Sequence, residues 1–471
     1  MNFTDTHTMQ EPSIVAAFIL HPPALTDSAR DNAKKVIADT FAANLAGASS
    51  EVVPPLQRFI DAQAHPAAAA SSPVFGTTLR AAPELAAMAN GTLSAALEFD
   101  DVLSMMPGHP SAVVIPALCA SPAIATCSGA EFVEAYAIGI EAGARIAQAM
   151  TLDHYKRGYH ATGTLCIFSA VAALARLERL TAGEIDTALG IAASMASGIQ
   201  GNFGTMVKPL HSGWAARNAL TAVQLARVGL TANPRIFEVS GGFFEAYGSP
   251  ASGFAHIKGF GQPWILDEPG ITLKLFPCCY ANHRAIDAAI EIRDELQLSP
   301  ADILRVECLV PIGGLIPLKF ARPANRFESL FSQPYALCVA LLEGHPRLSS
   351  FTEARLQAPD IAPLLERITV AESALCVADY PDYASKSYGS RGEVRLTVET
   401  FDGRRAARTV RIAPGHPERA VTWAQMQEKF ADGASVAGLT AEAAEQAFAQ
   451  LQAFEQLPQL SGFLDLLVPR P

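Results

Sequence analysis

Three carboxylates and an imidazole fall within a dozen residues, in Glu98-Phe99-Asp100-Asp101 and His109. No further formal charge appears from Val102 to Ala130. Carboxylates at the mouth of an apolar run are costly to bury unless paired, and they are natural proton carriers. Gly158-Tyr159-His160-Ala161-Thr162-Gly163-Thr164 sets a histidine and two hydroxyls directly before an apolar run. A helix starting there would aim backbone N–H groups and threonine hydroxyls at an anion. The competing reading is an N-cap with an incidental histidine. Lys208 is the only formal charge from Thr187 through Ala216, and His211 follows it. Such a lysine either snorkels to the surface or is a buried cation awaiting an anion.

The last constellation runs from Lys274 through Cys278-Cys279 to His283 and Arg284. For the two thiols, packing as small residues at a domain junction is favoured over nucleophilic attack. His283, opening a helix, is the better proton carrier. One carboxylate cluster, several histidines and one or two lysines suit proton removal and return at a carbon beside a carboxylate. The cations would hold substrate carboxylates and stabilise an enolate-like intermediate. Metal-ligand spacing, a Gly-rich dinucleotide fingerprint and a P-loop pattern are all missing from the sequence, which leaves a cofactor-independent mechanism.

These residues must be carried by a largely helical chain. Ser28–Leu45 repeats apolar residues at three- and four-residue spacing, Glu131–Met150 reads as a helix, and Thr164–Leu177 is almost wholly apolar. Thr181 and Glu184 form a capping-box pattern. The charge-free run after Asp101 is broken by Pro107, Pro110, Pro116 and Pro122, so a buried helix pair with turns is expected rather than a membrane span. Helix texture after Lys208 resumes at Ser212. Past about Gly270 the pattern turns strand-like at Leu304–Val310 and Val394–Glu399, followed by the turn Asp402-Gly403 and a second alternation at Arg408–Ile412. Helix-like segments lie near Tyr335–Leu342 and Ala358–Leu365, and Thr440–Leu467 is helical again. The expectation is a mainly α protein. A large all-α domain, 1–270, is completed by C-terminal helices in 415–471, and a smaller α+β lid domain spans 271–414.

The 471 residues carry 35 Lys and Arg against 46 Asp and Glu, a net charge of −11, with half the chain hydrophobic. That excludes a disordered chain and argues against nucleic acid as a partner. The eight scattered cysteines contain no CxxC and read as reduced cytoplasmic thiols. Asp5 and Glu11 precede the first apolar run, unlike a signal peptide.

The four motifs, in this order and with similarity running from about Pro12 to Leu467, resemble the MmgE/PrpD family. The matching residues are Glu98-Phe99-Asp100-Asp101 with Gly108-His109-Pro110-Ser111, and Gly158-Tyr159-His160 with Thr162-Gly163-Thr164. Lys208-Pro209-Leu210-His211-Ser212-Gly213 and Lys274 with Phe276-Pro277-Cys278-Cys279 and His283 complete them. That family includes 2-methylcitrate dehydratase, cis-aconitate decarboxylase and iminodisuccinate epimerase activities. The resemblance implies an all-α domain with an α+β lid, a homodimer, no required metal or cofactor, and a small di- or tricarboxylate substrate. It implies that Asp100, Asp101, His109, His160, Lys208 and His283 line a cleft between the domains. Thr162, Thr164, His211, Lys274 and Arg284 are the accompanying candidates for substrate binding. Glu98 is left a structural role.

Two departures bear on the reaction. The dehydratase-like members follow their acidic motif with Thr-Trp, where this chain has Val102-Leu103. Some members place a tyrosine shortly before an Arg-Pro in the lid, where Phe320 precedes Arg322-Pro323 here; with Phe320 as its counterpart, epimerisation or a simpler elimination is easier to support than decarboxylation. The expected activity is therefore that of a lyase or isomerase that moves a proton next to a carboxylate, with elimination, decarboxylation or epimerisation as outcomes. The rival is a catalytically silent relative that binds a polycarboxylate or serves as a dimeric scaffold.

Overall fold

A computed structural model describes residues 11–63, 72–256, 259–377 and 391–470. Asp5, and with it part of the argument against a signal peptide, lies outside the described residues. The chain is mainly α, and its long helices start where side chains can replace missing backbone acceptors. Thr26 caps Asp27–Gly47 by accepting from the Ala29 N–H, and capping boxes at Ser128/Glu131 and Thr181/Glu184 open Gly129–Met150 and Ala182–Met195.

The buried helix expected over Thr164–Leu177 is present as Cys166–Leu177, preceded by a four-residue helical turn at Ala161–Thr164; other elements differ from expectation. The charge-free run yields one helix, Ser111–Ala120, and then a short 3-10 turn at Pro122–Ala125. Pro122 disfavours helical geometry at Ser121, which becomes extended and caps the turn instead. The helix carrying Lys208 starts at Val207, not Ser212, and extends to Arg227.

Val207–Arg227 lies against Pro83–Ala95, and glycine sets their separation. A Cβ on Gly213 would meet the Met88 carbonyl oxygen at 2.2 Å, and one on Gly91 would meet Gly213 Cα at 2.9 Å. That close approach matters because Lys208 is in the first turn of one helix and Glu98 lies just past the end of the other.

Besides a short antiparallel pairing of Ser72–Pro73 with Arg80–Ala81, four strands form a sheet ordered Ile368–Glu372, Ile303–Val310, Val394–Thr400, Arg405–Val410. The first pair of that sheet is parallel and the others antiparallel. The hairpin turns at Gly403, with φ +86°, and its second strand starts earlier than the alternation suggested. Ile368–Glu372 is only five residues long and gave no readable alternation in the sequence. His283–Leu296 and Gln333–Glu343 pack with this sheet.

Two large apolar cores result. One gathers Phe41, Ile115, Phe132, Phe168 and Leu220 with Phe430, Phe448 and Leu464 from the C-terminal helices. The other gathers Phe276, Ile286, Val306, Leu337 and Leu396. The change from one to the other falls between Leu273 and Phe276.

Candidate active site

The acidic motif is a loop leaving Pro83–Ala95, and Glu98 turns it with φ +53°. That left-handed conformation is rare for a residue other than glycine and tends to persist where surrounding structure enforces it. Two backbone bonds tie the loop to the segment before Lys274: Val102 N–H donates to Thr272 O at 2.8 Å, and Thr272 N–H donates to Val102 O at 3.0 Å. Leu103 N–H closes the loop onto Gly108 O. A second loop is pinned by His160 N–H to Gly198 O and by Gln200 N–H to Gly158 O. The Val102–Thr272 pairing joins residues 170 positions apart.

A cleft enclosing about 610 Å³ of atom-free space, its open mouth included, lies where the two cores meet. Glu98, Val102, Gly108, His109, Tyr155, His160, Phe203 and Lys208 line one side, and Cys279, Tyr280, Ala281, Pro317 and Phe331 the other. Phe203 and Phe331 stack across it, with ring centroids 5.9 Å apart.

The charges are paired. Lys208 Nζ bonds Glu98 Oε1, while Lys274 Nζ bonds Glu98 Oε2 at 3.2 Å and Asp100 Oδ1 at 3.3 Å. All four groups are buried, so Lys208 is a buried cation and not a snorkelling one. Burial alone would raise the Glu98 and Asp100 pKa values, but the ammonium groups of Lys208 and Lys274, with the Nδ1–H side of His109 3.5 Å from Asp100 Oδ2, hold both carboxyls below the usual range. Lys274 is raised: burial acts downward, and Glu98 and Asp100 outweigh it.

The imidazoles are kept neutral. Burial pushes His109 down to about 4 and His211 to about 4, and His160 well below its ordinary value, with Lys208 adding to the effect on each. His109 Nδ1 lies 2.6 Å from the main-chain oxygen of Asp101. A carbonyl can only accept, so the proton of the neutral ring sits on Nδ1 and Nε2 carries a lone pair. His109 N–H is in turn held by Thr162 Oγ1 at 3.1 Å. His160 makes no capping bond to its short helix; its Nδ1 meets His211 Nδ1 at 2.9 Å.

The structure therefore brings His109, His160 and Lys208 to the cavity, with Asp100 and Lys274 directly behind them. It adds Glu98, which the sequence reading had left structural. It turns other candidates elsewhere. Asp101 accepts from Ser111 Oγ at 2.6 Å, and burial raises its pKa well above normal. It points into the helical core, where Ser111 Oγ in turn meets Tyr136 Oη at 2.7 Å. Thr162 supports the His109 backbone rather than an anion. Thr164 binds His154 Nε2 at 2.7 Å, because the turn at 161–164 carries its hydroxyl inward. His211 stands behind His160. His283 is buried against the Phe276 and Tyr280 rings, its Nε2 3.4 Å from Cys278 O. Arg284 Nη1 holds the carbonyls of Arg391 and Gly392 at 2.6 and 2.8 Å.

Tyr155, Tyr280, Phe203 and Phe331 are cavity walls that the sequence does not single out, although Phe203 stands in the Gly201–His211 constellation and Tyr280 in the one from Lys274 to Arg284. Burial pushes the Cys279 thiol up to about 11 and raises Cys278 further, which argues against either as a nucleophile. Phe320 does not line the cavity and packs on the backbone at Gly204. Among the described residues, no group of three or more His, Cys, Asp or Glu is placed to hold a metal ion, and no helix is long and apolar enough to cross a membrane.

A mainly helical chain with a small α+β region, and a cleft lined by histidines and a lysine paired to a carboxylate, define the setting in which the comparisons are read. The MmgE/PrpD N-terminal domain model matches residues 16–252 and the MmgE/PrpD C-terminal domain model matches 276–453, so the chain belongs to the MmgE/PrpD family and is an enzyme of the lyase type. It is 28% identical to the cis-aconitate decarboxylase of Homo sapiens over 87% of this chain and 84% of that protein. It is 30% identical to the enzyme of the same name from Mus musculus over 73% and 72%. A cis-aconitate decarboxylase of Aspergillus terreus is 28% identical over 73% and 74%.

Proposed function

We propose that this enzyme decarboxylates a small unsaturated tricarboxylate of the cis-aconitate type, without a cofactor, in the cleft at Lys208. The observation that carries the reading is the meeting of a cavity-facing cation, Lys208, with two neutral imidazoles, His109 and His160, at a single pocket. A carboxylate of the substrate takes the place of Glu98 on Lys208. In a β,γ-unsaturated acid the C–C bond to the leaving carboxylate breaks, its electron pair moves into a new double bond, and CO₂ departs. The former alkene carbon beside the second carboxylate then takes one proton. The substrate's carboxylates favour the charged form of an imidazole beside them, so His160, held at Nδ1 by His211, delivers that proton from Nε2 as an imidazolium and regains it from solvent once the product has left; His109 takes up none, because the decarboxylation releases no proton. General acid–base steps of this kind contribute roughly 10²–10⁴ in rate.

Support for decarboxylation over dehydration comes from the relatives named cis-aconitate decarboxylase and from Val102-Leu103 standing where dehydratase-like members carry Thr-Trp. The separate cores support a helical body of 1–270 plus 415–471 and a lid of 271–414. The reading includes a cytoplasmic homodimer, for which exposed Ile199, Met206 and Trp214 near the cleft offer apolar surface; sedimentation equilibrium decides the stoichiometry. The test is incubation with cis-aconitate in D₂O, followed by NMR. Loss of the substrate signal, with one deuterium in the decarboxylated product, is expected. Binding without carbon exchange or CO₂ release removes the reading.

A further inference from the structure

We propose that Lys429 is a positioning residue of the site, acting from the C-terminal helix Trp423–Val436 on the two backbone segments that carry Asp100 and Lys274. Its ammonium donates to Phe99 O at 2.6 Å, to Lys274 O at 2.8 Å and to Asp39 Oδ1 at 2.5 Å. An ammonium has three protons, and each has a partner here. It also sits 3.9 Å from the centre of the Phe99 ring, and its side chain is almost wholly buried.

The geometry goes beyond a buried salt bridge. Phe99 O belongs to the peptide unit that leads into Asp100, and Lys274 O to the residue whose ammonium meets Asp100 and Glu98. These segments are already joined by the paired bonds of Val102 and Thr272. The bridge fastens one end of the short stretch and Lys429 fastens the other, so the Asp100–Lys274 pair sits between two clamps. Asp39, on Asp27–Gly47, keeps the ammonium in place. A carbonyl-to-carbonyl link through one cation fixes backbone spacing, which charge pairing between mobile side chains does not. Displacements of about 1 Å at a reaction centre can cost about 10²-fold in rate.

The inference rests on the cleft being the reaction centre, and the experiment separates the two. The full chain is prepared with Lys429→Met and with the pair Asp39→Asn/Lys429→Met, which removes both buried charges together and avoids leaving one unpaired. Two quantities are read on each folded variant: steady-state turnover of cis-aconitate, and the ¹H–¹⁵N ammonium resonance of Lys274. Expected are a kcat lower by about 10- to 100-fold with KM within about threefold, and a shifted or exchange-broadened Lys274 resonance. If Lys429→Met does not fold, the double variant decides. Wild-type kcat and an unmoved Lys274 resonance in the folded variants would overturn the proposal, because a merely structural lysine changes melting temperature alone. If the wild-type chain does not turn over cis-aconitate, the reading of the reaction fails while the Lys274 resonance still tests the clamp.

Discussion

His160 and His211 meet Nδ1 to Nδ1 at 2.9 Å inside the protein. One ring must donate and the other accept, so the two neutral imidazoles hold opposite Nδ1 protonation states. Replacing His211 by phenylalanine keeps the ring's bulk and frees the tautomer of His160. We expect kcat to fall by roughly tenfold or more while KM changes little, as for a group that tunes a general acid. Steady-state kinetics with unchanged kcat would make His211 a packing residue.

His160→Gln removes the proposed donor itself. Turnover should fall by about 10² or more, with binding retained. A thermal-shift titration with cis-aconitate separates the two quantities.

Lys208→Ala leaves Glu98 facing Lys274 alone. Truncating one member of a buried charge pair costs about 2–5 kcal/mol in binding when its partner stays. Substrate affinity should drop accordingly, and combining Lys208→Ala with Glu98→Gln should recover much of the lost melting temperature but not the activity. Recovery of kcat/KM in the double variant would remove Lys208 from the site.

Asp100 and Asp101 should part company. Asp100→Asn breaks the ion pair with Lys274 and should lower kcat/KM by about 10². Asp101→Asn keeps the main-chain oxygen that holds His109 and should cost less than about fivefold. Equal losses would contradict the opposite orientations of the two side chains.

Stability should depend on pH with a definite sign. Burial lowers His109, His154 and His211 to about 4 and His283 to about 3, and His160 is also strongly lowered. Below pH 6.5 the unfolded chain binds protons at these rings that the folded chain refuses, so stability falls as pH drops from 6.5 toward 4. Asp39, raised to about 6 by burial, and Asp101, raised likewise, act in the opposite direction. The histidines outnumber them, and the net slope near pH 5 should correspond to roughly three protons. Thermal scans between pH 7 and 4.5 measure it; a flat melting temperature would show that the rings are solvated.

Much of this was readable from residue patterns because the signals were local. Capping residues and apolar periodicity mark Asp27–Gly47 and Gly129–Met150, and alternation marks Ile303–Val310 and Val394–Thr400. The four motifs that carry Asp100, His109, His160, Lys208 and Lys274 do meet at one place. What pattern cannot give is direction. Asp100 and Asp101 are adjacent and alike, and only the bridge from Val102 to Thr272 decides which carboxylate faces Lys274. Glu98 was passed over because its turn toward both lysines depends on a left-handed backbone that Glu seldom adopts. Lys429 carries no motif: its partners, Asp39, Phe99 and Lys274, are distant in sequence and two of its bonds go to carbonyls.

The paired lysines have a consequence for how an anion arrives. Two ammonium groups face two carboxylates and the nearby imidazoles are uncharged, so the pocket is electrically self-balanced inside a chain of net charge −11. A polyanion approaching it meets no long-range pull and some repulsion. Binding is then an exchange of one carboxylate for another on Lys208, not an attraction between opposite charges. Added salt, which screens distant fields and leaves buried contacts largely alone, should lower KM slightly or leave it unchanged, the reverse of an enzyme that gathers its substrate by electrostatic steering.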